Sequence, residues 1–254
     1  MTPAAAAEAR EVFPELAGTR RFTADEYRRL IDAGILGPDE QVELLDGYVL
    51  YKPDSAAPPA DQLFPRWGRL RRWTTGEYRR MIDLGVVTPD DKVELLGGYL
   101  VLKMGQSRAH RSAVVRLNTR LPRYLPPGWV VMSQVPVAVG GMDPEPDGAI
   151  VRGVDADYDD RDIDEGAFGI VVEVADSTLD MDRRAKGRLY ARAGLPVYWI
   201  VNVLHRQVEV YTDPDPTASP AAYRTRTDYR PGDDVPIVLD GQMAASIPAA
   251  DLLP

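Results

Sequence analysis

The chain of 254 residues contains no cysteine, which excludes disulfides and thiolate metal sites and fits a reducing compartment. Its two histidines, His110 and His205, are too few for a histidine-rich zinc site. No segment has the roughly 18 consecutive apolar residues of a membrane span. The opening MTPAAAAEAR lacks both a basic start and a long apolar stretch, which reads against a signal peptide. The expectation is a soluble, cytoplasmic protein. There is no G-x-S-x-G elbow and no Walker A loop. Gly140-Gly141 lacks the strand-to-helix setting of a phosphate cradle and reads as a hairpin turn. A net positive charge is also missing: 30 Lys and Arg against 39 Asp and Glu give −9. A nucleic-acid function therefore needs a local basic surface or metal ions to offset long-range repulsion.

What is present is organised around residues 169–212, which read strand, turn, helix, turn, strand, hairpin. Ile170, Val171, Val172 and Val174 form a β-branched apolar run of the kind found in a buried strand, with Glu173 inside it. A buried carboxylate needs a cation, a proton or a hydrogen-bond donor. The run DSTLDMDRRAKGRLYARAG offers cap candidates at Ser177, Thr178 and Asp180 and a stop at Gly194. Asp182, Lys186 and Tyr190, spaced i, i+4, i+8, share one helix face. VYWIVNV and VEVYT read as the next two strands, and Tyr190, Tyr198 and Trp199 as core.

Upstream, residues 1–20 read as a flexible extension. RFTADEYRRLIDAGILGPDEQVELLDGYVL, from Arg21, then recurs as RWTTGEYRRMIDLGVVTPDDKVELLGGYLV, from Arg72. Each copy reads as a Thr-capped helix, a Pro-Asp turn, and a strand through VELL and GY. One copy cannot bury both its faces, so the two are expected to pack on each other or on the body. A proline-rich linker joins them, giving a segment over 21–71 and one domain over 72–254. Ala113, Val114, Leu117 and Leu121 predict a helix, WVVMSQVPVAV two short strands, and GAIV a strand after Asp147. The stretch AAYRTRTDYRPGDDV predicts one more strand, and IPAADLLP a terminal turn or helix.

Asp147 at a strand mouth, Glu173 inside a strand and Lys186 on the next helix are the polar groups that a purely structural pattern would not place there. Two readings fit them. Two carboxylates on adjacent strands can share Mg²⁺, while an ammonium steadies a metal-bound water or charge on a phosphate. Alternatively, Glu173 and Lys186 form a buried ion pair and Asp147 caps a turn.

EPDGAIV, followed by VVEVADSTLDMDRRAKGRLYARAGLPVYWIVNVLHRQVEVY, resembles the Uma-type family of putative restriction endonucleases, within the PD-(D/E)XK nuclease superfamily. The resemblance runs from about residue 72 to the C-terminus. It implies an α/β, restriction-endonuclease-like mixed central sheet flanked by helices, preceded by the duplicated helix–strand segment, with the active groups at one sheet edge. It further implies a metal-dependent endonuclease acting on DNA with Mg²⁺ or Mn²⁺. Pro146-Asp147 matches the superfamily's PD and Glu173 its second acid. The usual lysine position falls on Ala175, and DRRAK supplies Lys186 instead. Glu94, His110 and Asp182 match family positions with supporting roles, and Glu43 is Glu94's duplicate. Where the family often has DGE, this chain has Gly97, Gly98 and Tyr99. The rival reading is a catalytically degenerate module acting in DNA binding or protein assembly. RNA as substrate and a homodimer are left open, and no membrane partner is expected.

Overall fold

A computed structural model describes residues 18–53, 55, 67–103, 105–133, 144–160, 163 and 165–254. The readings of the extension before residue 18, most of the proline-rich linker, the second strand of WVVMSQVPVAV and the Gly140-Gly141 turn lie outside the described residues. The chain divides into two compact units, residues 1–93 with 98–102, and residues 94–97 with 103–254. Residues 72–93 thus group with the preceding segment, whereas the sequence reading runs one domain over 72–254.

In the first unit, helix α1 (Ala24–Asp32) leads to a hairpin of β1 (Val42–Leu45) and β2 (Tyr48–Tyr51). Helix α2 (Thr75–Asp83) leads to strands β3 (Val93–Leu96) and β4 (Tyr99–Leu102). Both helices start on a T-x-x-E capping box. Thr23 Oγ1 accepts from Glu26 N and Thr74 Oγ1 from Glu77 N, each at 3.2 Å, and each Glu returns a bond to the Thr backbone at 2.7 Å. The division between the units runs through the β3–β4 hairpin, so Glu94 belongs to the second unit.

The second unit contains α3 (Arg108–Arg120), β5 (Trp129–Met132), β6 (Gly148–Arg152) and β7 (Phe168–Ala175). Helix α4 (Leu179–Met181) continues through a π-helical turn (Asp182–Lys186) into α5 (Gly187–Arg192). Then come β8 (Val197–Asn202), β9 (Gln207–Asp215), β10 (Ala222–Tyr229), β11 (Asp234–Leu239), β12 (Gln242–Pro248) and α6 (Ala249–Leu252). Six strands form one mixed sheet in the order β10-β9-β8-β7-β6-β5, with β7 and β8 parallel and the other neighbours antiparallel. The parallel pair needs a crossover, and the helix through the π turn provides it.

All eight residues of β7 are buried, because both faces of the sheet are covered. Ile170, Val172 and Val174 pack with Trp199, Val201, α3 and the β11–β12 hairpin. Val171 and Ala175 face the other way, with Tyr190, Tyr198 and Ile200. Each such aliphatic side chain contributes about 1.5–3 kcal/mol of burial, which anchors the strand that carries Glu173.

Two features depart from the sequence reading. AAYRTRTDYRPGDDV builds the one strand expected of it, β10, but two further strands that were not expected, β11 and β12, follow it. Asp240 and Gly241, at φ 52° and 72°, make the two-residue turn that closes β11 on β12. The helix after β7 is not uniform, since its middle turn is π-helical.

Candidate active site

Antiparallel pairing of Gly148 with Val172 places the preceding residue, Asp147, across from Glu173. Strand alternation then puts both carboxylates on the face shared with Ala149 and Val171, the side covered by the crossover helix. Asp147 Oδ2 accepts from Val174 N at 2.8 Å, which ties the loop before β6 to the end of β7. These strands are interior members of the sheet, so the predicted location at a sheet edge is corrected. The acids sit where β6 begins and β7 nears its end.

The crossover helix delivers the amine. Lys186 Nζ lies 2.9 Å from Glu173 Oε1, 3.6 Å from Glu94 Oε1 and 3.9 Å from Asp182 Oδ1, with 9% of its side chain exposed. The same Glu173 oxygen accepts from the Tyr190 hydroxyl at 2.8 Å. Thr178, at the helix start, makes no cap bond; its hydroxyl donates to Asp182 Oδ2 at 2.6 Å. The Asp182 carbonyl accepts from the Tyr198 hydroxyl at 3.1 Å. Within the π turn, Arg183 points to a different strand, giving Glu209 two hydrogen bonds of 3.0 and 2.6 Å. Single π turns in α-helices recur at functional sites, and here one turn serves two buried acidic centres.

His110 enters from the first turn of α3, whose N-cap Ser107 accepts from His110 N at 3.1 Å. Its Nε2 is 3.3 Å from Asp147 Oδ2, while its buried Nδ1 has no hydrogen-bond partner among the described residues. Lys103 and Glu145 form an ion pair at the rim. Glu94, His110, Asp147, Glu173, Asp182 and Lys186 all line one cavity of about 350 Å³, with Lys103, Gln106, Glu145, Val174 and Thr178 completing its wall. All six residues singled out from the sequence are therefore brought together. Glu43 is not among them; it pairs with Arg69 at 3.8 Å in the first unit.

Burial pushes the Glu173 carboxyl well above its usual range; Lys186 pulls it down, and the nearby Asp182, Asp147 and Glu94 push it up further. Burial likewise raises Asp182 to about 6, against the pull of Lys186 and the Thr178 hydrogen bond. Burial alone would lower Lys186, but the charges of Glu173, Glu94 and Asp182 outweigh it and hold the amine protonated. Acidic groups outnumber cations in this cavity, so a positively charged guest is electrostatically favoured.

The groups that could hold a metal here are the carboxylates of Asp147 and Glu173, which line the cavity. Among the described residues no group of three or more His, Asp or Glu side chains converges as a closed metal cluster. Carboxylate oxygens are ligands of the kind Mg²⁺ takes, through one or two carboxylates with several waters kept.

Tyr190, Thr178, Lys103 and Glu145 were not singled out as site residues. Tyr190 shares the helix face of Lys186 but reads as core, and its hydroxyl has a partner only because β7 carries an acid beneath it. Glu145 stands two residues before Asp147 in PEPD, the one local signal available for it. Nothing in the sequence around Lys103 marks it.

The six-stranded sheet with helices on both sides is a nuclease-type fold. It is similar to a crystal structure from Anabaena variabilis ATCC 29413 described as a putative nuclease belonging to DUF820, with a TM-score of 0.52 and 14% identity over 70% of this chain and 96% of that one. Residues 75–243 match the family described as Uma2: Putative restriction endonuclease, and the chain belongs to that family. No curated protein matches the chain. Among the described residues no helix is long and apolar enough to cross a membrane.

Proposed function

We propose that the chain hydrolyses DNA phosphodiester bonds with Mg²⁺ or Mn²⁺ held by Asp147 and Glu173. The observation that carries this reading is the buried Lys186 amine, 2.9 Å from Glu173 in a cavity that Asp147 also lines. A bound divalent ion would supply positive charge toward the scissile phosphate and lower the pKa of a coordinated water. The chain's own groups have separable tasks. Val174 N fixes Asp147, and the Tyr190 hydroxyl aims Glu173. Lys186, kept protonated by its three acids, positions the attacking water or stabilises charge growing on the phosphoryl oxygens. Glu94 and Asp182 hold Lys186 in place, and His110 orients Asp147 through its Nε2, 3.3 Å from Oδ2. Family membership supports DNA as the substrate.

One observation favours a non-catalytic module acting in DNA binding or protein assembly: Glu173 Oε1 is already engaged by Lys186 at 2.9 Å and by the Tyr190 hydroxyl at 2.8 Å. Plasmid nicking with Mg²⁺ or Mn²⁺ separates the two readings. Cleavage that is lost in Lys186→Ala and Asp147→Asn supports hydrolysis. A wild type that cuts no DNA with either ion, with a Lys186→Ala variant behaving identically, overturns it. An RNA substrate tested in parallel decides between the two polymers.

A further inference from the structure

The first unit is bonded reciprocally, and the Arg21-to-Arg72 offset of the sequence relates the two sides. Arg20 reaches Asp91 across the unit at 2.8 Å, while its counterpart Arg71 reaches Glu40, the counterpart of Asp91, at 2.7 Å. Each arginine also holds its own helix: Arg20 binds Glu26 and Arg71 binds Glu77, both at 2.7 Å. Arg29 donates to the Leu84 carbonyl at the end of α2, and Arg80 donates to the Ala33 carbonyl at the end of α1.

The backbone follows the same rule. Arg20 N donates to Leu100 O and Arg71 N to Val49 O, both at 2.8 Å, so the lead-in of each stretch pairs with the other's hairpin. Phe22 and its counterpart Trp73 meet at the centre, ring centroids 5.5 Å apart. Contacts in which i meets j′ and j meets i′ are the signature of an isologous, two-fold interface between identical partners. The family match begins at residue 75 and so takes in only the second of the two stretches.

We infer that the first unit is a self-complementary interface closed within one chain. Residues 18–53 occupy in cis the face that the second stretch would otherwise present to another copy of itself. The chain is monomeric through this face, and the partner the face fits is a second helix–hairpin of the same kind.

Light scattering on full-length variants tests this. Arg20→Asp with Phe22→Asp damages the first stretch and frees the face of the second, so the solution mass should double relative to wild type. Arg71→Asp with Trp73→Asp should double it from the other side. All four substitutions together should restore the wild-type mass, since no intact face remains. Single-side variants that keep the wild-type far-UV spectrum and the wild-type mass overturn the inference. If a damaged stretch unfolds the chain, the wild type cut at a protease site placed within residues 56–66 gives the second reading. Its two pieces should stay together at the mass of one chain, and their separation overturns the inference.

Discussion

Lys186 is enclosed by carboxylates at 2.9, 3.6 and 3.9 Å, and removing it leaves like charges buried together. Lys186→Ala is expected to abolish cleavage and to cost about 3 kcal/mol in urea denaturation at pH 8. The cost should shrink at pH 5, because Glu173 and Asp182 already have raised pKa values and take up protons once the amine is gone. An equal loss at both pH values contradicts this electrostatic account. Tyr190→Phe removes one hydrogen bond to Glu173 and nothing else from the packing. It should cost about 1–2 kcal/mol and weaken Mn²⁺ binding measured by calorimetry, because Glu173 is less well aimed. Glu209 is shifted the other way. Arg183, Asn202 and Tyr211 outweigh its burial and hold its carboxyl down at about 2. Its stabilising effect is complete above the ordinary carboxylate range and lost as pH falls toward 2, so Glu209→Gln should flatten the acid limb of a stability–pH curve.

At the scale of elements, β6 and β7 set the distance between the two acids, and glycines let other groups close in on them. A Cβ at Gly169 would lie 2.5 Å from Leu239 Cδ2 and 2.7 Å from the Trp129 ring. Gly169→Ala is expected to destabilise the second unit by about 1–3 kcal/mol in thermal or urea melts, without touching the polar cavity. Most of these elements were legible from the chain. The β-branched run of β7, the T-x-x-E boxes and the apolar spacing of α3 carry local signals strong enough to survive tertiary context. The π turn was not legible, because DRRAK reads as ordinary helix until Glu209, on a distant strand, claims Arg183. The β11–β12 hairpin had a signal, Asp240-Gly241 between apolar runs, but the sequence reading passed over residues 236–246. At the site, the three principal residues were legible through their oddity, charge set in apolar surroundings. Tyr190 was hidden by its normality, since a buried tyrosine on a helix face needs no special partner to be explained.

For the whole molecule, the net charge of −9 opposes the approach of a polyanion, and the cavity is itself rich in acids. The proposed divalent ion would resolve both problems at once, by neutralising Asp147 and Glu173 and by giving the phosphate a cation to meet. That ion is the claim on which the proposed chemistry rests. Thermal melting of the full chain across a Mn²⁺ titration, with Asp147→Asn alongside, tests it most directly. Wild type should gain about 2.7 kcal/mol of stability when Mn²⁺ reaches a hundred times its dissociation constant, and Asp147→Asn should gain none at the same concentration. A wild-type melting curve that Mn²⁺ leaves unmoved, or one that shifts equally in both proteins, contradicts the account.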